Sequence, residues 1–141
     1  MINWAGYAIL SAIFAALVAI FGKIGIKGVD SNLAVAIRTV IIVFFAWGIV
    51  ALQGNVSDVF KISKFSYTFI ALSAIATGLS WMFYYKALQL GEASRVAPID
   101  KLSIVLTIIL AFLILGEKPG LGNVTGGILV ALGVLATIFI K

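Results

Sequence analysis

The chain has 141 residues, is 63% hydrophobic and 11% charged, carries a net charge of +5, and contains neither cysteine nor histidine. A soluble domain of this length needs far more polar surface. Without those two residue types, disulfides, thiolate metal sites, cysteine nucleophiles and histidine general bases are also excluded. The basic residues are spread over loops instead of forming one face, which fits membrane topology and an anionic substrate and speaks against nucleic acid as a partner. No cofactor and no metal site is expected.

Five apolar stretches of about 20 residues fill the chain between Trp4 and Ile140, each long enough to cross the ~30 Å hydrocarbon core as a helix. The first covers residues 4–22. It has no basic leader and no small-residue cleavage site, so it reads as a mature helix and not as a signal peptide. A short loop with Lys23, Lys27 and Asp30 leads to the second span, residues 32–53. The longest polar break, 54–64, precedes the third span, residues 65–87. The connection 88–95 leads to the fourth, residues 96–115. Gly116 to Gly120 reads as a tight turn from its glycines and proline, and the fifth span covers 121–140. The expected fold is all-α: an integral membrane bundle of five transmembrane helices in a single domain, residues 1–141, placing the protein in the cell membrane as a multi-pass protein.

Rows of small residues run along several spans: Ala8, Ala12 and Ala16; Ala71, Ala74 and Gly78; Gly127 and Ala131, with Gly133 and Thr137 on a neighbouring face. Such rows let backbones approach closely in lipid. They serve packing inside one chain or, best on the fifth span, a dimer seam.

An odd number of spans places the two ends of the chain on opposite sides of the bilayer. Let side A be the N-terminal side and side B the other. Loops and the terminus on side B hold Lys23, Lys27, Arg95 and Lys141; side A holds Lys61, Lys64 and Lys118. Arg38, Lys86 and Lys101 lie inside span ends on side B. Counting them favours a cytoplasmic side B; leaving them out gives almost no bias. A balance this weak is what a dual-topology protein, paired with an inverted copy of itself, would show.

The embedded charges are the candidate functional residues. Arg38 stands about two turns into the second span, Lys86 in the last turn of the third, and Asp100 and Lys101 in the first two turns of the fourth. Ionisable groups at such depth usually face a cavity or a partner. Lys86 and Lys101 are near enough to the interface to snorkel. Arg38 is deeper, which favours a structural or substrate role. Asp100, the one embedded acid, is either a proton carrier or, more in keeping with the positive layer around it, a salt-bridge partner of Arg38 or Lys86. Neighbours on a helix point about 100° apart, so Asp100 and Lys101 are not expected to face one point. Trp81 is too deep for an interfacial belt and shares a face with Tyr85 four residues on, a face suited to lining a pocket.

The chain resembles a single EamA domain of the drug/metabolite transporter superfamily over nearly its whole length. The resemblance rests on Val35-Ala36-Ile37-Arg38, on Tyr85-Lys86-Ala87-Leu88-Gln89-Leu90-Gly91, on Ala93-Ser94-Arg95-Val96-Ala97-Pro98, and on Leu115-Gly116-Glu117-Lys118 before a glycine-rich last span, in that order and spacing. It implies transport or export of small metabolites by alternating access. Most members carry two such domains, ten helices, as an inverted repeat with the site at the midplane. This chain matches one half, and the simplest completion is an antiparallel homodimer. The four-helix multidrug relatives use a glutamate in their first helix; the first span here has no acid, which disfavours proton-coupled drug export by that route. Many members carry a proline inside the fourth helix; here Pro98 is expected only at its start.

The leading expectation is therefore a homodimeric transporter of a small anionic or amphipathic molecule, with Arg38, Lys86 and Lys101 attracting an anionic group, Trp81 and Tyr85 packing an apolar part, and Asp100 beside them. The alternatives are a flippase subunit for lipid-linked intermediates and a non-transporting membrane scaffold. No nucleophile–base pair or phosphate loop suggests an enzyme.

Overall fold

The computed structural model describes residues 3–140, and these contain helices and connecting turns but no strand. Runs of Ile, Val and Phe that would suit strands in water form helices here, because a lipid-exposed backbone must bond to itself and a helix does so within one segment. α1 spans Trp4–Gly25, α2 Ser31–Leu52 and α3 Lys64–Leu90. The fourth span is discontinuous: α4, Ala93–Asp100, is followed by α5, Leu102–Leu110, and a π-helical segment, Ala111–Leu115. α6 covers Leu121–Phe139. With α4, α5 and the π segment taken as one span, five helices are long and apolar enough to cross a membrane.

Caps and turns set the ends. Gly28, at φ +73°, lets the chain leave α1 in a left-handed turn. Asp30 then caps α2, its Oδ1 accepting from the amides of Asn32 at 2.9 Å and Leu33 at 3.0 Å. Beyond α2, Val56–Lys61 forms a 3₁₀ helix. Ser63 then caps α3, its Oγ accepting from the Ser66 amide at 3.1 Å. Gly116, at φ +69°, ends the π segment.

The break in the fourth span corrects the expectation for Pro98. The helix begins at Ala93, not at residue 96, which puts Pro98 sixth in α4 instead of third. In a first turn the missing N–H costs nothing, because those amides have no partner anyway. At the sixth position it leaves the Ser94 carbonyl without its bond. The ladder then tightens: the Lys101 amide donates to the Pro98 carbonyl at 3.0 Å, and the Ile104 amide to the Lys101 carbonyl at 3.0 Å, both three residues back.

Residue contacts divide the chain into two units, Ile20–Gln89 and Met1–Ala19 with Leu90–Lys141. In the first, Ile26, Ser31, Val35, Tyr85 and Leu88 are buried, all toward the side-B end of α2 and α3. In the second, α6 packs on α4 and α5. Gly127 is buried there, and a Cβ on it would meet Ile108 Cδ1 at 3.1 Å. Gly127, in the row expected as the best dimer seam, thus packs on α5 of the same chain. Gly133, on the neighbouring face, has nothing within 4 Å of a Cβ position.

Candidate substrate site

α2 and α3 bring together three of the six expected site residues. Arg38 lies seven residues into α2 and Trp81 nine residues from the end of α3, about 10 and 13 Å along the two helices from their side-B ends. The Arg38 Cζ stands 4.1 Å from the centroid of the Trp81 ring and 5.4 Å from that of Tyr85. The i, i+4 spacing of the two aromatics puts them on one face of α3, and that face meets Arg38. Tyr85 is buried, and its ring makes an edge contact with Tyr84 at 6.3 Å.

The energetics of this cation are unbalanced. Insertion scales put an arginine in mid-span at a cost of about 2.5–3.5 kcal/mol. A desolvated cation–π contact returns about 2 kcal/mol. Tyr85 adds a second, longer contact, yet one donor stays unsatisfied: Nη1 is sealed from solvent and has no hydrogen-bond partner. A buried donor left unmade costs about 1–3 kcal/mol. The carboxylates of its own unit are engaged elsewhere, Asp30 in the α2 cap and Asp58 with Lys61. Arg38 is therefore a fixed, aromatic-backed cation with a free donor, which is the chemistry of an oxyanion receptor.

A polar knot holds the aromatic face in place. Lys23 donates to the Leu88 carbonyl at 2.5 Å, and Gln89 Nε2 donates to the Val29 carbonyl at 3.0 Å. The Leu88 carbonyl belongs to the last turn of α3, where no helical donor is available. Leu88 itself is fully buried. The Tyr85 hydroxyl lies over Gly22, only 3.1 Å from where a Cβ there would stand, so only a glycine leaves the ring this room.

Lys86 is exposed and donates to Gln89 Oε1 at 3.1 Å, so it joins the knot and not the aromatic face. Asp100 and Lys101 lie in the other unit and pair with each other at 3.3 Å, with side chains 37% and 49% exposed. This corrects one expectation: the Asp100 and Lys101 side chains do converge. The backbone at Lys101 stays right-handed, at φ −70° and ψ −4°, so the contact comes from the reach of the long lysine stem. Three residues of the site went unassigned from sequence: Gly22, Lys23 and Gln89. Gln89 carried a signal, since it continues the Trp81–Tyr85 row at the same four-residue spacing. Lys23 was read as a loop residue, yet it lies in the last turn of α1.

A hollow lies within the other unit, between α5, the π segment and α6. It has a volume of about 350 Å³ and is lined by Val105, Ile108, Phe112, Val124, Gly127 and Ala131 among others. Its lining is almost wholly apolar, so it offers no group that would orient a polar ligand.

Five helices long and apolar enough to cross a membrane, with no metal-ligating cluster among the described residues, define a multi-pass membrane protein. Residues 2–139 match the EamA-like transporter family, and the chain belongs to that family. It is similar to a protein of Sinorhizobium sp named "Uncharacterized transporter in cobO 3'region", with 47% identity over 133 residues, 94% of each chain. No solved structure matches it. The protein is thus a membrane transporter, built as half of the ten-helix family fold.

Proposed function

We propose that this transporter carries a small anionic or amphipathic metabolite across the cell membrane by alternating access, as an antiparallel homodimer, and that it performs no chemistry on its cargo. The observation that carries this reading is the Arg38 guanidinium, backed by Trp81 and Tyr85, with Nη1 buried and unpartnered. An oxyanion of the cargo pairs with Arg38 while an apolar portion lies against Trp81 and Tyr85. Lys86 contributes positive potential and steadies Gln89. Asp100 and Lys101 form a local pair in the other unit and have a lesser role.

The dimer reading is supported by parity and length. Five spans make half of the family fold, and the Sinorhizobium relative, matched over 94% of its own length, has no room for ten. The test is topology. The chain has no cysteine, and Ser57 is exposed in the 3₁₀ helix and caps nothing. Ser57→Cys in whole cells should react with a membrane-impermeant maleimide to about half its extent after permeabilisation. Full or absent labelling would mean one fixed orientation and would rule out the inverted homodimer. Binding is tested separately, by titrating phosphate monoesters, carboxylates and a quaternary amine of similar size against Trp81 emission. Saturation by the anions and not by the amine is expected.

A further inference from the structure

The side-A end of α2 carries a second hollow, unrelated to Arg38. The chain leaves α2 through Gly54 and folds the 3₁₀ helix Val56–Lys61 back against it. Ala46, Trp47 and Val50 of α2 face Asp58, Val59 and Ile62 across a slot of about 300 Å³. This is the lower end of ligand-sized pockets, room for a stretch of one hydrocarbon chain. Its α2 wall lies two to six residues inside the helix end, about 3–9 Å below it, which is the depth of the upper acyl region. Trp47 at that depth suits the interfacial belt. Phe60, 91% exposed, adds a further apolar group on the 3₁₀ helix at the same end.

Above the apolar walls stands an ion pair. Lys61 Nζ lies 2.6 Å from Asp58 Oδ1, with side chains 76% and 54% exposed. Such an exposed pair is weak and opens at little cost. Opened, it presents a cation and an anion side by side at headgroup level, over a hydrocarbon-lined slot.

We propose that this corner binds a phospholipid whose headgroup carries a primary amine. The lipid phosphate accepts from Lys61, the ammonium donates to Asp58, and one acyl chain enters the slot between Trp47 and Val59. A choline headgroup has no N–H to give Asp58, and a glycerol headgroup has no cation for it. The amine is therefore what the pair selects. A free zwitterion would leave the slot empty, so the occupant is the intact lipid.

The test uses the full chain with Trp4→Phe and Trp81→Phe, leaving Trp47 as the sole indole. It is reconstituted in phosphatidylcholine vesicles doped with brominated phosphatidylethanolamine, phosphatidylglycerol or phosphatidylcholine. Quenching of Trp47 should favour the ethanolamine lipid by about two- to fivefold, the range an exposed ion pair is worth. The preference should vanish in Asp58→Asn and fall in Val59→Phe, which fills the slot. Soluble phosphoethanolamine should not compete. Equal quenching by all three lipids, a preference for the glycerol lipid, a preference unchanged in both variants, or competition by the soluble headgroup would each overturn the proposal.

Discussion

The two ends of the Ile20–Gln89 unit are built on opposite terms. At side B, the last turn of α1, the start of α2 and the end of α3 are tied by side chains that cap backbone carbonyls, Lys23 on Leu88 and Gln89 on Val29, around buried Tyr85 and Leu88. At side A, a 3₁₀ helix hangs over an open slot and its ion pair faces solvent. Bonds between helices gather at the end where a cation stands against aromatic rings, and the other end carries a local, exposed ion pair.

This contrast can be broken at several points. Arg38→Met, which keeps the stem and removes the charge, should weaken anion binding by about 30-fold or more, the usual cost of deleting one partner of a buried charged contact. Arg38→Lys should recover only part of this, because an ammonium does not stack flat on Trp81. Trp81→Leu should cost about five- to thirtyfold in the same titration, followed by tyrosine emission, matching a cation–π contact of 1–2 kcal/mol. Gly22→Ala pushes the Tyr85 hydroxyl and should lower binding several-fold, whereas Gly48→Ala, with nothing within 4 Å of the added Cβ, should leave binding unchanged. It should stabilise α2 slightly, by about 0.5–1 kcal/mol in thermal unfolding, since alanine is the better helix former. Gln89→Leu removes the bond to Val29 and should cost about 1 kcal/mol, with faster amide exchange in the last turn of α3. Asp58→Asn at the opposite end should leave stability within about 0.5 kcal/mol.

Much of this architecture was readable from the chain before its coordinates. Span number and type follow from bilayer thickness, and four of the five predicted starts fall within one residue of the observed ones. The exception is the fourth span, where polar Ser94 and Arg95 disguised three residues of helix. That small shift hid the largest irregularity, because it decides whether Pro98 sits among amides that need no partner or among those that do. The grouping of Arg38 with Trp81 and Tyr85 was half legible: depth singled out the cation and four-residue spacing the aromatics, but no local pattern states which faces of α2 and α3 meet. The knot was not legible, since Lys23 and Gln89 act on backbone carbonyls of distant residues, 65 and 60 positions away. Asp100 forms a salt bridge, as its place in a positive layer suggests, but with the adjacent Lys101, which the 100° step between helical neighbours argues against.

The central claim is that Arg38 receives an oxyanion while resting on Trp81. The most direct measurement takes the Trp4→Phe, Trp47→Phe protein in vesicles, with Trp81 as the sole indole, and titrates a phosphate monoester and a carboxylate while following its emission. A saturable change that disappears in the same protein carrying Arg38→Met is the predicted result. An unchanged titration with Arg38→Met would place the anion elsewhere and leave Arg38 as a purely structural cation.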